Sequence, residues 1–246
     1  MADEIERIQT GIRGFDSFVE GGFPKGSITL VVGTPGTGKS IFVAETLFNN
    51  ALKGKKCLYL NLEQGEGKLE KQIRQFGWDL EKAGKNLRIV SVDFPNPGMV
   101  EFVLEEVQRL DYDMIAIDSL DSISSSPLET DEVGKMGMDR IAETVIPTLF
   151  DAQTVGRLKL KKIFAAISRS RATAFLTTER IEGAQGITRD TISEFLCDNI
   201  LVLYYMGVGS SQYRTAQIIK MRLSNHEKEF IPFEITKKGI EIRAEK

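Results

Sequence analysis

The 246-residue chain is expected to fold as one α/β domain, with a mainly parallel sheet flanked by helices and antiparallel strands toward its C-terminus. Three observations lead to this class. Short apolar, β-rich runs alternate with segments of helical period through most of the chain, as in βαβ units. The final stretch instead alternates strands with turns, and no helix intervenes. Between the first strand and the first helix lies Gly33-Thr34-Pro35-Gly36-Thr37-Gly38-Lys39-Ser40, which has the form G-x-x-x-x-G-K-S of a phosphate-binding P-loop.

The residue types of that stretch state its chemistry. Glycines allow the backbone to curl until successive N–H groups point inward and form a concave anion site. Lys39 can reach β- and γ-phosphate oxygens, and the Ser40 hydroxyl can ligate the magnesium that bridges them. The apolar run Ser27 to Val32 supplies the strand before the loop, and Ile41 to Leu52 supplies the helix after it. The helix N-terminus adds partial positive charge to the phosphate site. The expected nucleotide-binding residues are therefore Thr34, Pro35, Gly36, Thr37, Gly38, Lys39, Ser40 and Ile41, with ATP and Mg2+ as the ligands.

Before the loop, residues 1–25 read as a helical or irregular lead-in, punctuated by Gly14-Phe15-Asp16 and Gly21-Gly22-Phe23-Pro24-Lys25-Gly26. After the first helix, Cys57 to Leu62 is a strand that ends in Glu63-Gln64. A helix follows over Lys68 to Phe76, with Leu69, Ile73 and Phe76 at helical spacing. Leu87 to Val92 is a strand and Met99 to Leu110 a helix. Met114-Ile115-Ala116-Ile117-Asp118-Ser119 then has the Walker B form. Such a buried parallel strand delivers one carboxylate to the carboxyl edge of the sheet, which makes Asp118 the second magnesium-site residue.

From Leu120 to Ala174 the chain exceeds what one crossover helix needs. Ser122 to Asp131 reads as a polar loop, and a helix is expected over Val133 to Val145, broken by Pro147. A second helix spans Ala152 to Ser168; its cluster Arg157, Lys159, Lys161 and Lys162 reads as a solvated face in preference to a nucleic-acid contact. The remaining strands are Ala174 to Glu179, Phe195 to Tyr205, Tyr213 to Met221, Phe230 to Ile235 and Ile240 to Arg243.

Composition sets the remaining bounds. The formal net charge of −3 does not announce a nucleic-acid-binding surface. Cys57 and Cys197 lie in apolar contexts and read as buried thiols of a reducing compartment. The absence of a membrane-length apolar run and of a basic, apolar leader makes a cytoplasmic protein the expectation. With His226 as the single histidine, a multi-histidine metal site is excluded.

Several separated stretches together resemble the KaiC-like branch of the RecA/RadA-type ATPases. They are Gly14-Phe15-Asp16, Gly21 to Gly26, the P-loop, Phe76-Gly77-Trp78-Asp79-Leu80, Ile117-Asp118-Ser119, Thr177-Thr178-Glu179-Arg180-Ile181-Glu182 and Ile219-Lys220-Met221-Arg222. They occur in the family's order and leave out about 124–172, which reads as a helical insertion atypical of the family within a single domain of residues 1–246. The resemblance implies a RecA-type fold and a magnesium-dependent ATPase. It further implies that Glu63 activates the attacking water and that Thr178 senses the γ-phosphate. The family has two consecutive acids where this chain has Glu63-Gln64, so a carboxylate-pair mechanism is not supported and slow turnover is compatible with the change.

Lys220-Met221-Arg222 resembles the Lys-Leu-Arg finger that reaches nucleotide bound in the adjacent subunit. Residues two apart on a strand share a face, so Lys220 and Arg222 could contact one ligand together; a charged edge strand that resists aggregation is the plainer reading. By the same resemblance His226 makes a cross-interface nucleotide contact, and a homo-oligomeric ring of six is expected. The hydroxyl pair that the clock protein autophosphorylates falls near Glu194-Phe195, so autokinase activity is not carried over. Two other functions stay open: a nucleotide-switched DNA-binding accessory of recombination or repair, and a low-turnover nucleotide-sensing scaffold with a protein partner. Loops 120–131 and 183–190 carry more acid than base and no stacking aromatics, which disfavours the first.

Overall fold

A computed structural model describes residues 5–92, 98–126, 152–181, 183, 186–208 and 211–243. The described part of the lead-in is largely irregular, with one 3-10 turn and a short strand pair. Strands β1 (Arg7–Ile8) and β2 (Phe23–Pro24) pair antiparallel around a 3-10 turn, Asp16–Val19. The Asp16 carboxylate holds this turn by accepting from Thr10 N (2.8 Å), Thr10 Oγ1 (2.7 Å) and Gly11 N (3.1 Å).

Then come β3 (Ile28–Gly33), α1 (Lys39–Leu52), β4 (Cys57–Asn61), α2 (Lys68–Gln75), α3 (Leu80–Ala83), β5 (Leu87–Ser91) and α4 (Met99–Gln108). They are followed by β6 (Met114–Asp118), α5 (Leu120–Ser124), α6 (Ala152–Ser170), β7 (Thr173–Glu179) and α7 (Ser193–Leu196). The chain closes with β8 (Asn199–Val208), β9 (Ser211–Met221), β10 (Ile231–Thr236) and β11 (Gly239–Ile242). The larger sheet has nine strands in the order β11-β10-β9-β8-β3-β7-β6-β4-β5. From β8 to β5 the pairs are parallel, and β9, β10 and β11 continue antiparallel. The expected α/β class is the one observed.

The parallel strands bury both faces, which is why they read as unbroken apolar runs. On one face Val31, Tyr59, Ala116, Phe175 and Leu203 pack against Phe42, Val43 and Leu47 of α1. On the other, Leu30, Leu60, Ile117 and Leu176 pack against Val103 and Val107 of α4 and Leu160, Ile163 and Ile167 of α6. Helix α6 is thus part of the core.

The structure corrects several expectations. Ser122–Ser124 belongs to the helical turn α5 instead of a loop, and Phe195–Leu196 belongs to α7 instead of the start of a strand. The basic cluster on α6 is not a uniformly solvated face. Lys159 is fully buried, where it donates to Ser126 O and Oγ at 2.9 Å each, while Arg157 donates to Thr191 Oγ1 at 2.7 Å. The helix expected at 133–145, the break at Pro147, and the 127–131 part of the polar loop lie outside the described residues. Cys57 and Cys197 are free and buried, and burial pushes each thiol up to about 12. Among the described residues no helix is long and apolar enough to cross a membrane.

Candidate nucleotide site

The loop between β3 and α1 is shaped by its glycines. Gly36 and Gly38 have φ of +81° and +106°, a region L side chains avoid. Gly33 is required for space: a Cβ there would meet Leu203 O and Thr37 Oγ1 at 2.6 Å. Thr37 Oγ1 donates to Thr34 O at 2.8 Å and tightens the bend. Lys39 opens α1, and its Nζ donates to Gly33 O (2.9 Å) and Thr34 O (3.3 Å), so the ammonium lies over the loop.

A cavity of about 520 Å³ covers this loop. Its walls include Pro35, Gly36, Gly38, Lys39, Ser40 and Ile41 from the loop and α1, Glu63 and Gln64 from the end of β4, and Glu179 from the end of β7. Lys39 and Glu63 therefore share one cavity. The strands that lead into them are not neighbours: β7 and β6 stand between β3 and β4. Three strand spacings put the backbones about 14 Å apart. Burial raises the Glu63 pKa most, the Asp118 carboxylate raises it further, and Lys39 opposes both.

Asp118 ends β6 at the same edge and is 1% exposed. Tyr59 OH donates to Asp118 Oδ2 at 2.7 Å, and Thr177 Oγ1 donates to Asp118 Oδ1 at 2.5 Å. Of the two adjacent threonines on β7, Thr177 is thus the one that reaches the Walker B carboxylate. Thr178 is fully buried on the other face of the strand, beside Asp121, whose Oδ2 accepts from Glu179 N at 2.8 Å. Tyr59 and Thr177 escaped the sequence reading because both sit inside apolar strands, where a hydroxyl looks like ordinary core.

Arg214 is a further residue at this edge. Its Nη2 donates to Gly36 O at 3.3 Å and its guanidinium lies 4.7 Å from the centre of the Tyr205 ring. The hint in the sequence was a lone arginine on the strand that carries Lys220.

Lys220 and Arg222 lie toward the opposite end of the strands: Lys220 pairs with Ile200, level with Leu30 of β3. Arg222 N donates to Asp198 O, and Asp198 N donates to Ile28 O, which puts Arg222 level with the start of β3. Gly33 is five residues on, about 17 Å along the strand. Strand alternation does not relate Lys220 to Arg222, because β9 ends at Met221, between them. The two cations converge on the segment that enters β8 instead, Lys220 on its backbone and Arg222 on a side chain. Lys220 Nζ donates to Cys197 O (2.7 Å) and Glu194 O (3.3 Å), and Arg222 Nη1 to Asp198 Oδ1 (3.2 Å). His226 Nδ1 lies 2.7 Å from Glu227 O.

A sheet of this order, with a phosphate loop after β3 and a buried aspartate ending β6, defines a P-loop nucleotide-binding protein of the RecA class. The particular family follows from comparison. The chain belongs to the KaiC ATPase family, which it matches over residues 8–246. It is 32% identical over 247 aligned positions to the circadian clock protein KaiC3 of Synechocystis sp., covering 98% of this chain and 46% of the relative. To the circadian clock oscillator protein KaiC of Synechococcus elongatus it is 30% identical, covering 97% of this chain and 44% of the relative. The chain thus spans less than half the length of these curated relatives. Among solved structures, a KaiC-like protein of Pyrococcus horikoshii OT3 superposes with a TM-score of 0.79 at 28% identity, covering 98% of this chain and all of the other.

Proposed function

We propose that this chain hydrolyses ATP at a site completed by the neighbouring subunit of a ring, expected to contain six copies. The observation that carries the reading is the shared cavity of Lys39 and Glu63 on a glycine-shaped loop. The loop amides and Lys39 would bind and orient the polyphosphate. Glu63, exposed on the cavity wall, would accept a proton from the attacking water, a contribution of about 10²–10⁴-fold. Ser40 and Asp118 offer a hydroxyl and a carboxylate, hard oxygen donors suited to Mg2+, which when bound neutralises charge on the β- and γ-phosphates.

The finger reading draws support from distance. Arg222 sits five residues and Lys220 three residues down the sheet from their own phosphate loop, and both side chains turn toward the segment that enters β8, so a nucleotide they touch would belong to another copy. The burial of Lys159 removes a cation from the α6 face and weakens the nucleic-acid alternative further.

Two measurements test the proposal. Lys39→Ala should abolish ATP binding by calorimetry and magnesium-dependent phosphate release; tight binding by the variant overturns the site. Light scattering with ATP and Mg2+ should give about six times the 27.5 kDa of the chain, and a monomer under all conditions overturns the ring.

A further inference from the structure

The seat of Lys220 is connected through one continuous strap to the wall of the protomer's own nucleotide cavity. At the cavity end, Glu179 forms an ion pair with Arg189 at 3.2 Å, and Arg189 N donates to Glu179 O at 3.1 Å. The strap then turns over Asp190, whose Oδ1 accepts from Ile192 N (2.8 Å) and Ser193 N (2.7 Å) as α7 begins. Glu194, on α7, ties the strap to itself: its Oε2 accepts from Ile187 N at 2.9 Å and Thr188 N at 3.0 Å. The same residue's carbonyl, with that of Cys197, receives the Lys220 ammonium.

An ammonium has three donors. Two of the Lys220 donors are taken by the carbonyls of Glu194, within α7, and of Cys197, just past it. The direction of the third is thereby set by where α7 lies, and α7 is held against loop 187–188 by the Glu194 carboxylate. The neighbouring Phe195 is 72% exposed, so this seat lies at the surface of the protomer.

We infer that Glu194 is a positioning residue for the reaction in the adjacent subunit: by holding α7 on loop 187–188, it aims Lys220 at the neighbour's nucleotide. The inference rests on the trans-acting finger proposed above. Loss of the clamp lets the ammonium drift by an ångström or so, a misplacement that can cost about 10²-fold in rate.

Mixed oligomers of the full chain separate this role from a structural one. Glu63→Ala protomers, which keep the finger, should restore ATPase activity to Arg222→Ala protomers, which keep the water-activating carboxylate. With Glu63→Ala/Glu194→Ala as the finger donor, restored kcat should fall by about tenfold or more with KM for ATP little changed. With Glu194→Ala placed in the receiving protomer beside Arg222→Ala, restoration should stay within about twofold. Glu194→Gln, whose amide oxygen still accepts from loop 187–188, should rescue the donor. If Glu194→Ala fails to assemble, Glu194→Asp, one methylene too short to reach the loop, takes its place as the impaired donor.

Equal restoration by the Glu194→Ala donor, or equal loss in the two placements, overturns the positioning role while leaving the trans finger standing. Failure of the first mixture, with only Glu63 and Arg222 altered, overturns the trans finger itself and this inference with it.

Discussion

Glu45 Oε2, buried on α1, accepts a hydrogen bond from Ile240 N of β11 at 2.8 Å. This joins the helix of the phosphate loop to the C-terminal hairpin, and Ile235 of that hairpin lines the cavity. Burial raises the Glu45 pKa most and Glu241 adds to it, against the lowering effect of the Ile240 N–H; the result is about 7. The raised value fixes a sign. The folded state holds a proton at Glu45 that the unfolded chain has released, so this stabilisation is complete below pH 4.5 and lost as pH rises through 7. Glu45→Gln should therefore be more stable than the native chain at pH 8, by up to about 3 kcal/mol, and near-equal to it at pH 4.5. Thermal midpoints of the two proteins across that range check the difference, and parallel curves refute it.

Tyr59 and Thr177 act on one carboxylate, so their removal should not be independent. Each hydroxyl donates to a different oxygen of Asp118, which is buried and has no access to bulk water. Tyr59→Phe and Thr177→Val should each destabilise by about 1–3 kcal/mol. The double variant should depart from their sum by about 0.5 kcal/mol or more, as expected for groups on one network. Denaturant unfolding of the four proteins gives the cycle, and strict additivity would show that Asp118 does not couple them.

Lys159 and Lys161 lie two positions apart on α6 but in different surroundings. Lys159 is fully buried and donates to Ser126 O and Oγ, whereas Lys161 is exposed. Lys159→Ala leaves those acceptors without their charged donor and opens a hole in the packing beneath α6, so a loss of about 2 kcal/mol or more is expected. Lys161→Ala should stay within about 0.5 kcal/mol of the native chain. Similar melting shifts for the two would contradict the assignment of Lys159 to the interior.

Much of the sheet was legible because parallel strands buried on both faces leave a signature of four to six apolar residues in a row. That signature located β3, β4 and β6 and, with them, the phosphate loop, Glu63 and Asp118. It carries no lateral information, so the two strands between Lys39 and Glu63 could not be read from it. Period-two alternation likewise implied a shared strand face for Lys220 and Arg222, but β9 ends at Met221, between them, and the end of a strand is not marked by residue type there. Lys159 was hidden for a related reason: a charge on an amphipathic helix reads as solvated unless its acceptor, here Ser126 in a distant turn, is known. The hydroxyls of Tyr59 and Thr177 became functional candidates only once the register brought β4 and β7 to either side of β6.

In the proposed reaction Glu63 would have to be ionised to take a proton from water, and its surroundings resist ionisation. Burial is the largest cause, followed by the Asp118 carboxylate, with Glu179 adding to them and Lys39 opposing. The acidic limb of the kcat–pH profile should therefore be shifted upward from the ordinary glutamate value, with activity falling as pH drops through it. Glu63→Gln should lower kcat by about 10²–10⁴-fold and leave ATP binding intact. The neighbouring Gln64 gives a sharper version. It is held by Asn61, whose Oδ1 accepts from Gln64 N at 3.0 Å and whose Nδ2 donates to Gln64 O at 2.8 Å. These bonds use only the backbone of residue 64, so Gln64→Glu should keep the turn and place a second carboxylate on the cavity wall. A like charge there disfavours ionisation of Glu63 further and should move the acidic limb to higher pH. A limb that stays in place in the Gln64→Glu variant would mean that the group titrating in the profile is not Glu63.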